Sequence, residues 1–66
     1  MKLSETGRSW VNTMRRIYTY DTLKPIIERA ERIARERGGR AITRDDLNEA
    51  LDQIAQQELV RACMIW

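Results

Sequence analysis

The sequence predicts an all-α domain of three helices with a short extended segment between the second and third. Three observations carry that expectation. Apolar residues recur at helical spacing in three separate stretches. Capping residues stand where the second and third stretches open, and glycine stands where the second closes. Between those two stretches lie only Arg40, Ala41, Ile42 and Thr43, too few residues for an independent strand.

The first helix is expected from about Gly7 to Tyr18, with Ser4 and Thr6 as alternative N-caps. Trp10, Met14 and Ile17 fall at i, i+4 and i+7, with Val11 and Tyr18 beside them, and make one apolar stripe. Arg8, Arg15 and Arg16 lie off its centre. The β-branched and aromatic residues lower intrinsic propensity, so packing must hold this helix.

The second helix is capped by Asp21 or Thr22, which puts Pro25 in the first turn, where its missing N–H had no helical partner. Leu23, Ile26, Ile27, Ala30, Ile33 and Ala34 form its apolar face. The opposite face pairs Glu28 with Arg32, Glu31 with Arg35 and Arg32 with Glu36 at i,i+4, each worth about 0.2–0.5 kcal/mol. Gly38 is the left-handed residue that ends the helix.

Ile42 is expected to turn inward from the extended segment. Thr43 and Asp46 make a T-x-x-D variant of the capping box, and the third helix begins near Arg44. Asp45 and Asp46 also favour its positive end. Leu47, Ala50, Leu51, Ile54 and Ala55 face the core, and the periodicity runs on through Leu59, Ala62, Cys63 and Trp66. The expected buried set is Trp10, Met14, Ile17, Leu23, Ile27, Ala30, Ala34, Ile42, Leu47, Leu51 and Ile54.

With 66 residues the chain is one small domain, and 42% hydrophobic against 33% charged residues places it among folded chains rather than disordered ones. Burial at about 25 cal/mol per Å² roughly balances an ordering cost of about 1.5 kcal/mol per residue at this size. Very regular helices, a partner or self-association must then supply the margin. There is no His, so the commonest general base and metal ligand is missing, and the lone Cys63 can make neither an internal disulfide nor a multi-thiolate site. No metal, cofactor or catalytic set is expected. One cysteine fits reducing, cytoplasmic surroundings. No apolar run approaches the roughly 18–20 residues that span a bilayer. The N-terminal stretch also lacks a signal-peptide core.

Each candidate site has a plainer reading. Asp45 and Asp46 as paired carboxylates do not converge on one point from adjacent helical positions, and capping accounts for them. Cys63 has no His to activate it and reads as a buried or interface thiol. Gly38 and Gly39 lack the Lys-Ser/Thr step of a phosphate loop and read as a helix stop. Arg8, Arg15, Arg16, Arg37, Arg40 and Arg44 are solvated arginines or an anionic-surface contact, and the net charge of +2 is too small for a dedicated nucleic-acid binder. Leu59, Val60, Cys63, Met64 and Trp66 form an apolar tail that helices one and two are too short to cover, so residues 59–66 are expected to be a partner interface.

Glu31, Ala34 and Gly38, followed by Ile42, Thr43, Leu47 and Ala50, spell E-x-x-A-x-x-x-G, I-T and L-x-x-A. This pattern resembles the small C-terminal domain of the light-independent protochlorophyllide reductase B subunit, and short stand-alone proteins similar to it. Trp10 matches the Trp-bearing opening of those domains, and the resemblance covers about residues 10–51. That family usually carries a Pro-aromatic step and an Arg at the start of its second helix, whereas this chain runs from Ile17 through Tyr18 and Tyr20 to Pro25. The departure removes the basis for carrying over a pigment contact. The resemblance implies a non-catalytic appendage of a larger complex in photosynthesis or (bacterio)chlorophyll biosynthesis. The helix–strand–helix pattern is also similar to the second half of archaeal histones and to the helical lid of AAA+ ATPases, and Gly39, Arg40, Ile42, Asp46, Leu47 and Ala50 resemble the histone motif. The spacing from Arg40 to Ile42 is one residue shorter than in histones, and the middle helix is too short for a histone. The expected function is an accessory subunit docking on a larger protein or on another copy. Histone-like or other basic helical nucleic-acid binding is the competing class.

Overall fold

The computed structural model describes the backbone of residues 1–64 and the side chains of residues 1–57. Three helices follow one another: α1 (Glu5–Met14), α2 (Tyr20–Glu36) and α3 (Arg44–Met64). The class is all-α, and among the described residues there is no strand. The segment between α2 and α3 makes only an isolated parallel bridge, Leu3 to Ile42. Ser4 N–H donates to the Ile42 carbonyl at 2.9 Å, and Ile42 N–H donates to the Lys2 carbonyl at 3.0 Å. The N-terminal residues are thereby tied to the loop that opens α3.

Of the two cap candidates for α1, Ser4 is used: its Oγ accepts from Gly7 N–H at 3.1 Å. The helix starts two residues before the expected Gly7 and stops at Met14, four short of Tyr18. Arg16 N–H reaches the Thr13 carbonyl and Ile17 N–H the Met14 carbonyl, an i→i−3 pattern. That tightening rotates each residue further than α geometry does. Ile17 consequently leaves the stripe and is 69% exposed, which corrects its place in the expected core. Met14 is half-buried against the core.

Helix α2 begins at Tyr20, with Thr19 at the cap position and no side-chain cap bond. The start is earlier than Asp21 or Thr22 would give, so Pro25 sits in the second turn. Its missing N–H leaves the Asp21 carbonyl without that partner, at a position where both residues are exposed to water. The buried stripe is Leu23, Ile26, Ala30 and Ala34. Ile26 rather than Ile27 takes the fully buried position, and Ile27 is half-buried. The end of α2 is a Schellman motif: Gly38, at φ 78°, donates to the Arg35 carbonyl, and Gly39 N–H donates to the Ala34 carbonyl at 2.8 Å.

Helix α3 runs back along α2 and packs chiefly against it, and α1 packs against α3. Ala30, Ala34 and Ala50 are fully buried beside Leu47, small side chains that let the two helices approach closely. Leu51 and Ile54 are half-buried. Among the described side chains Ile54 is the last α3 residue in the core, and the backbone of the helix runs on to Met64. The radius of gyration is 12.6 Å, against about 11 Å for a compact chain of this length.

Trp10 joins α1 to α3. It is 6% exposed, and its Nε1–H donates to Asn48 Oδ1 at 2.8 Å. Trp10→Phe keeps most of the buried ring and removes only the donor and some volume. We expect a loss of about 1–2 kcal/mol, read as a fall of several degrees in the thermal midpoint by circular dichroism. An unchanged midpoint would show that the indole bond holds nothing.

Candidate functional site

Three surfaces have features that packing alone leaves unused. The first is the corner between α1 and α2. The exposed large hydrophobic side chains among the described residues are Met1, Ile17, Tyr18 and Tyr20, so three of the four fall in one four-residue stretch. Beside them lies a groove of about 440 Å³. Val11, Leu23 and Ile27 floor it, and Arg15, Tyr18 and Tyr20 form its rim. The corner exists because α1 stops early and α2 starts early, leaving a five-residue connection that cannot fold its apolar residues inward.

The second surface is a pair of adjoining grooves on α1. One, of about 370 Å³, lies between α1 and the start of α3 and is lined by Thr6, Ser9, Trp10, Arg44 and Asn48 among others. Its neighbour, of about 430 Å³, is lined by Glu5, Arg8, Asn12 and Arg16, and the two share Ser9 and Thr13. Asn48 Oδ1 is occupied by Trp10. Every buried side-chain nitrogen and oxygen among the described residues has a partner. The Asn48 amide nitrogen makes no hydrogen bond among the described residues and is therefore open to solvent.

The third surface is the start of α3, where Asp46 is 2% exposed. Its Oδ2 accepts from Thr43 N–H at 3.0 Å, from the Thr43 hydroxyl at 3.1 Å and from Arg37 NH2 at 2.8 Å, while Oδ1 accepts from Arg37 Nε at 3.2 Å. Asp46 N–H closes the capping box on Thr43 Oγ1 at 3.4 Å. Burial pushes this carboxyl up. The Thr43 N–H, the Arg37 guanidinium and the Thr43 hydroxyl more than offset that and hold it below its ordinary value of 3.8. Both oxygens of Asp46 are thus engaged in holding α3. Asp45 beside it is exposed.

The expected arginine set divides. Arg8 and Arg16 line one α1 groove and Arg44 the other, while Arg15 faces the α1–α2 corner. Arg40 is exposed in the α2–α3 connection and lines none of these grooves. Arg37 is not a free cation, being paired with Asp46. None of the other five makes an ion pair among the described residues. Of the expected partner interface, Leu59, Val60, Cys63 and Met64 belong to α3 by backbone, but their side chains lie outside the described residues, as does Trp66 entirely.

Sequence reasoning did not reach Asn48, the Arg37–Asp46 pair or the exposed corner. A sharper signal for the corner was present in Thr19, since a cap there starts α2 before Asp21. Among the described residues no three His, Cys, Asp or Glu side chains are grouped to hold a metal ion, and no helix is long and apolar enough to cross a membrane. Comparison with protein-family models, with curated proteins and with solved structures finds no match.

Proposed function

We propose that this chain is a non-catalytic helical accessory domain that docks on a larger protein through the α1–α2 corner. One observation carries the reading: Ile17 and Tyr20, 69% and 73% exposed, flank Tyr18 in one short stretch, and Tyr18 and Tyr20 line an apolar-floored groove. A chain of this size has little stability to spare, and an apolar cluster left in water contributes nothing to it. Tyr is enriched at interface centres because its ring buries area and its hydroxyl stays satisfied. Arg15 on the rim supplies a cation for a carboxylate of the partner. The resemblance of residues 10–51 to the domain appended to light-independent protochlorophyllide reductase supports seeking the partner in (bacterio)chlorophyll biosynthesis.

The test uses the double variant Ile17→Glu, Tyr20→Ser. Both positions are exposed, so stability should move by no more than about 0.5 kcal/mol each. The full chain is titrated with the purified reductase and sedimented alone over a range of concentrations. Wild type should form a complex that survives moderate salt and the double variant should not. Equal binding by both chains rejects the corner. A wild-type chain that stays monomeric and ignores the reductase rejects that partner and self-association.

A further inference from the structure

We propose that the joined grooves on α1 form a track for the phosphodiester backbone of a nucleic acid, with Asn48, Arg44, Arg8 and Arg16 as its contacts. This goes beyond the docking reading and uses different residues. The geometry is one of unspent donors. Asn48 gives its only side-chain acceptor to Trp10, so what it offers the groove is an amide N–H pair. Arg44, lining the same groove, makes no ion pair among the described residues. Ser9 carries the track into the neighbouring groove, where Arg8 and Arg16 are likewise unpaired.

Charge agrees with the donor count. Glu5 is the one carboxylate lining either groove. Three arginines against one glutamate account for the whole net charge of +2, since the remaining nine basic and nine acidic residues cancel. A chain that is neutral elsewhere has thus placed its surplus on one face. Like charges gathered there repel each other unless an anion lies between them.

The arrangement selects among phosphate sources. Arg8 lies on α1, Arg16 in the connection that follows it and Arg44 at the start of α3. Cations strung out in this way match a row of phosphates better than a single one. The second groove, lined by Glu5, Arg8, Ser9, Asn12, Thr13 and Arg16, offers no apolar side chain to enter a lipid headgroup layer. Contacts to backbone alone position a strand without reading its bases, so binding should be insensitive to sequence.

The experiment is fluorescence anisotropy of the full chain with a fluorescein-labelled single-stranded oligonucleotide over a salt series. Three backbone contacts at about 0.7 each predict a slope near −2 for log affinity against log salt. Arg8→Gln with Arg16→Gln should bring the slope to roughly −0.7, the value for one remaining contact. Asn48→Asp keeps an oxygen for Trp10 and replaces the free donors by a carboxylate. It should weaken binding at least tenfold while circular dichroism and Trp emission stay unchanged. Arg32→Gln, on α2 and outside both grooves, should change nothing, and neither should Ile17→Glu with Tyr20→Ser. Failure of that corner variant to bind the oligonucleotide would move the site to the corner and overturn the track, whatever becomes of the docking reading. Full competition by inorganic phosphate would mean a single-anion site. Binding to phosphatidylserine vesicles but not to the oligonucleotide would mean a membrane contact. Either result, or a slope the arginine variants leave unchanged, overturns the proposal.

Discussion

Gly7→Ala should take away most of this domain's stability at room temperature, against the direction that helix propensity dictates. Ala exceeds Gly by about 1 kcal/mol inside a helix, so a free-standing α1 would gain from the change. The obstacle is tertiary. A Cβ at position 7 would overlap the Ile42 backbone carbonyl and touch its carbon and Leu3 Cδ2, both at 3.4 Å. That carbonyl cannot swing aside cheaply, because it accepts the Ser4 N–H at 2.9 Å and belongs to a residue 1% exposed in the core. Relief requires α1 to lift off the loop, breaking the Leu3–Ile42 bridge and loosening Trp10. Overpacking of this kind costs about 1–3 kcal/mol and occasionally more. With a backbone atom as the obstacle, a net loss of about 3 kcal/mol is expected. A domain this small rarely holds more than about 3–5 kcal/mol in total. Gly38→Ala is the contrasting case. Nothing lies within 4 Å of a Cβ there, and the cost is only the strain of φ 78°, about 1–2 kcal/mol. Thermal melts of the two variants decide the matter. If Gly7→Ala melts at or above wild type, α1 does not press on Ile42.

These two glycines also mark where the sequence was legible. Gly38 and Gly39 end α2 through bonds to the carbonyls three and five positions back respectively, and such local chemistry can be read from order alone. The same holds for Thr43 and Asp46 at the head of α3 and for the Leu23, Ala30 and Ala34 stripe. Gly7 answers to Ile42, and Trp10 to Asn48 across 38 positions. No periodicity encodes those meetings. Ile17 was misplaced for a related reason: spacing puts it on the stripe, but whether α1 continues depends on what α2 leaves to cover. The arginines show the limit for the candidate site. Their number and type were plain, yet only the packing of α1 on α3 separates Arg8, Arg16 and Arg44 from Arg15, and pairs off Arg37.

Asp46→Ala should cost about 3 kcal/mol at neutral pH, and that cost should shrink in acid. The substitution removes the capping acceptor for Thr43 N–H, worth about 1 kcal/mol. It also removes a two-pronged bond from Arg37, whose charge-assisted contacts contribute about 1.5–3 kcal/mol. The Arg37 side chain is 52% exposed and returns to water when its partner is lost, which keeps the cost below that of stranding a buried cation. Asp46→Asn retains one oxygen acceptor and should fall between wild type and Asp46→Ala. The pH dependence follows from the direction of the shift. In the folded chain the Asp46 carboxyl lies below its ordinary 3.8, so the unfolded chain takes up the proton first. The contribution is complete above 3.8 and is lost as pH falls through the lower folded value. Wild type should therefore lose stability steeply below pH 3.8, while Asp46→Ala, lacking the group, should show a flatter acid limb. Urea denaturation followed by circular dichroism from neutral pH downward measures both chains. Curves that stay parallel into strong acid would mean that the carboxylate's charge does not stabilise the junction of α2 and α3. Curves that converge would assign that junction's acid sensitivity to Asp46.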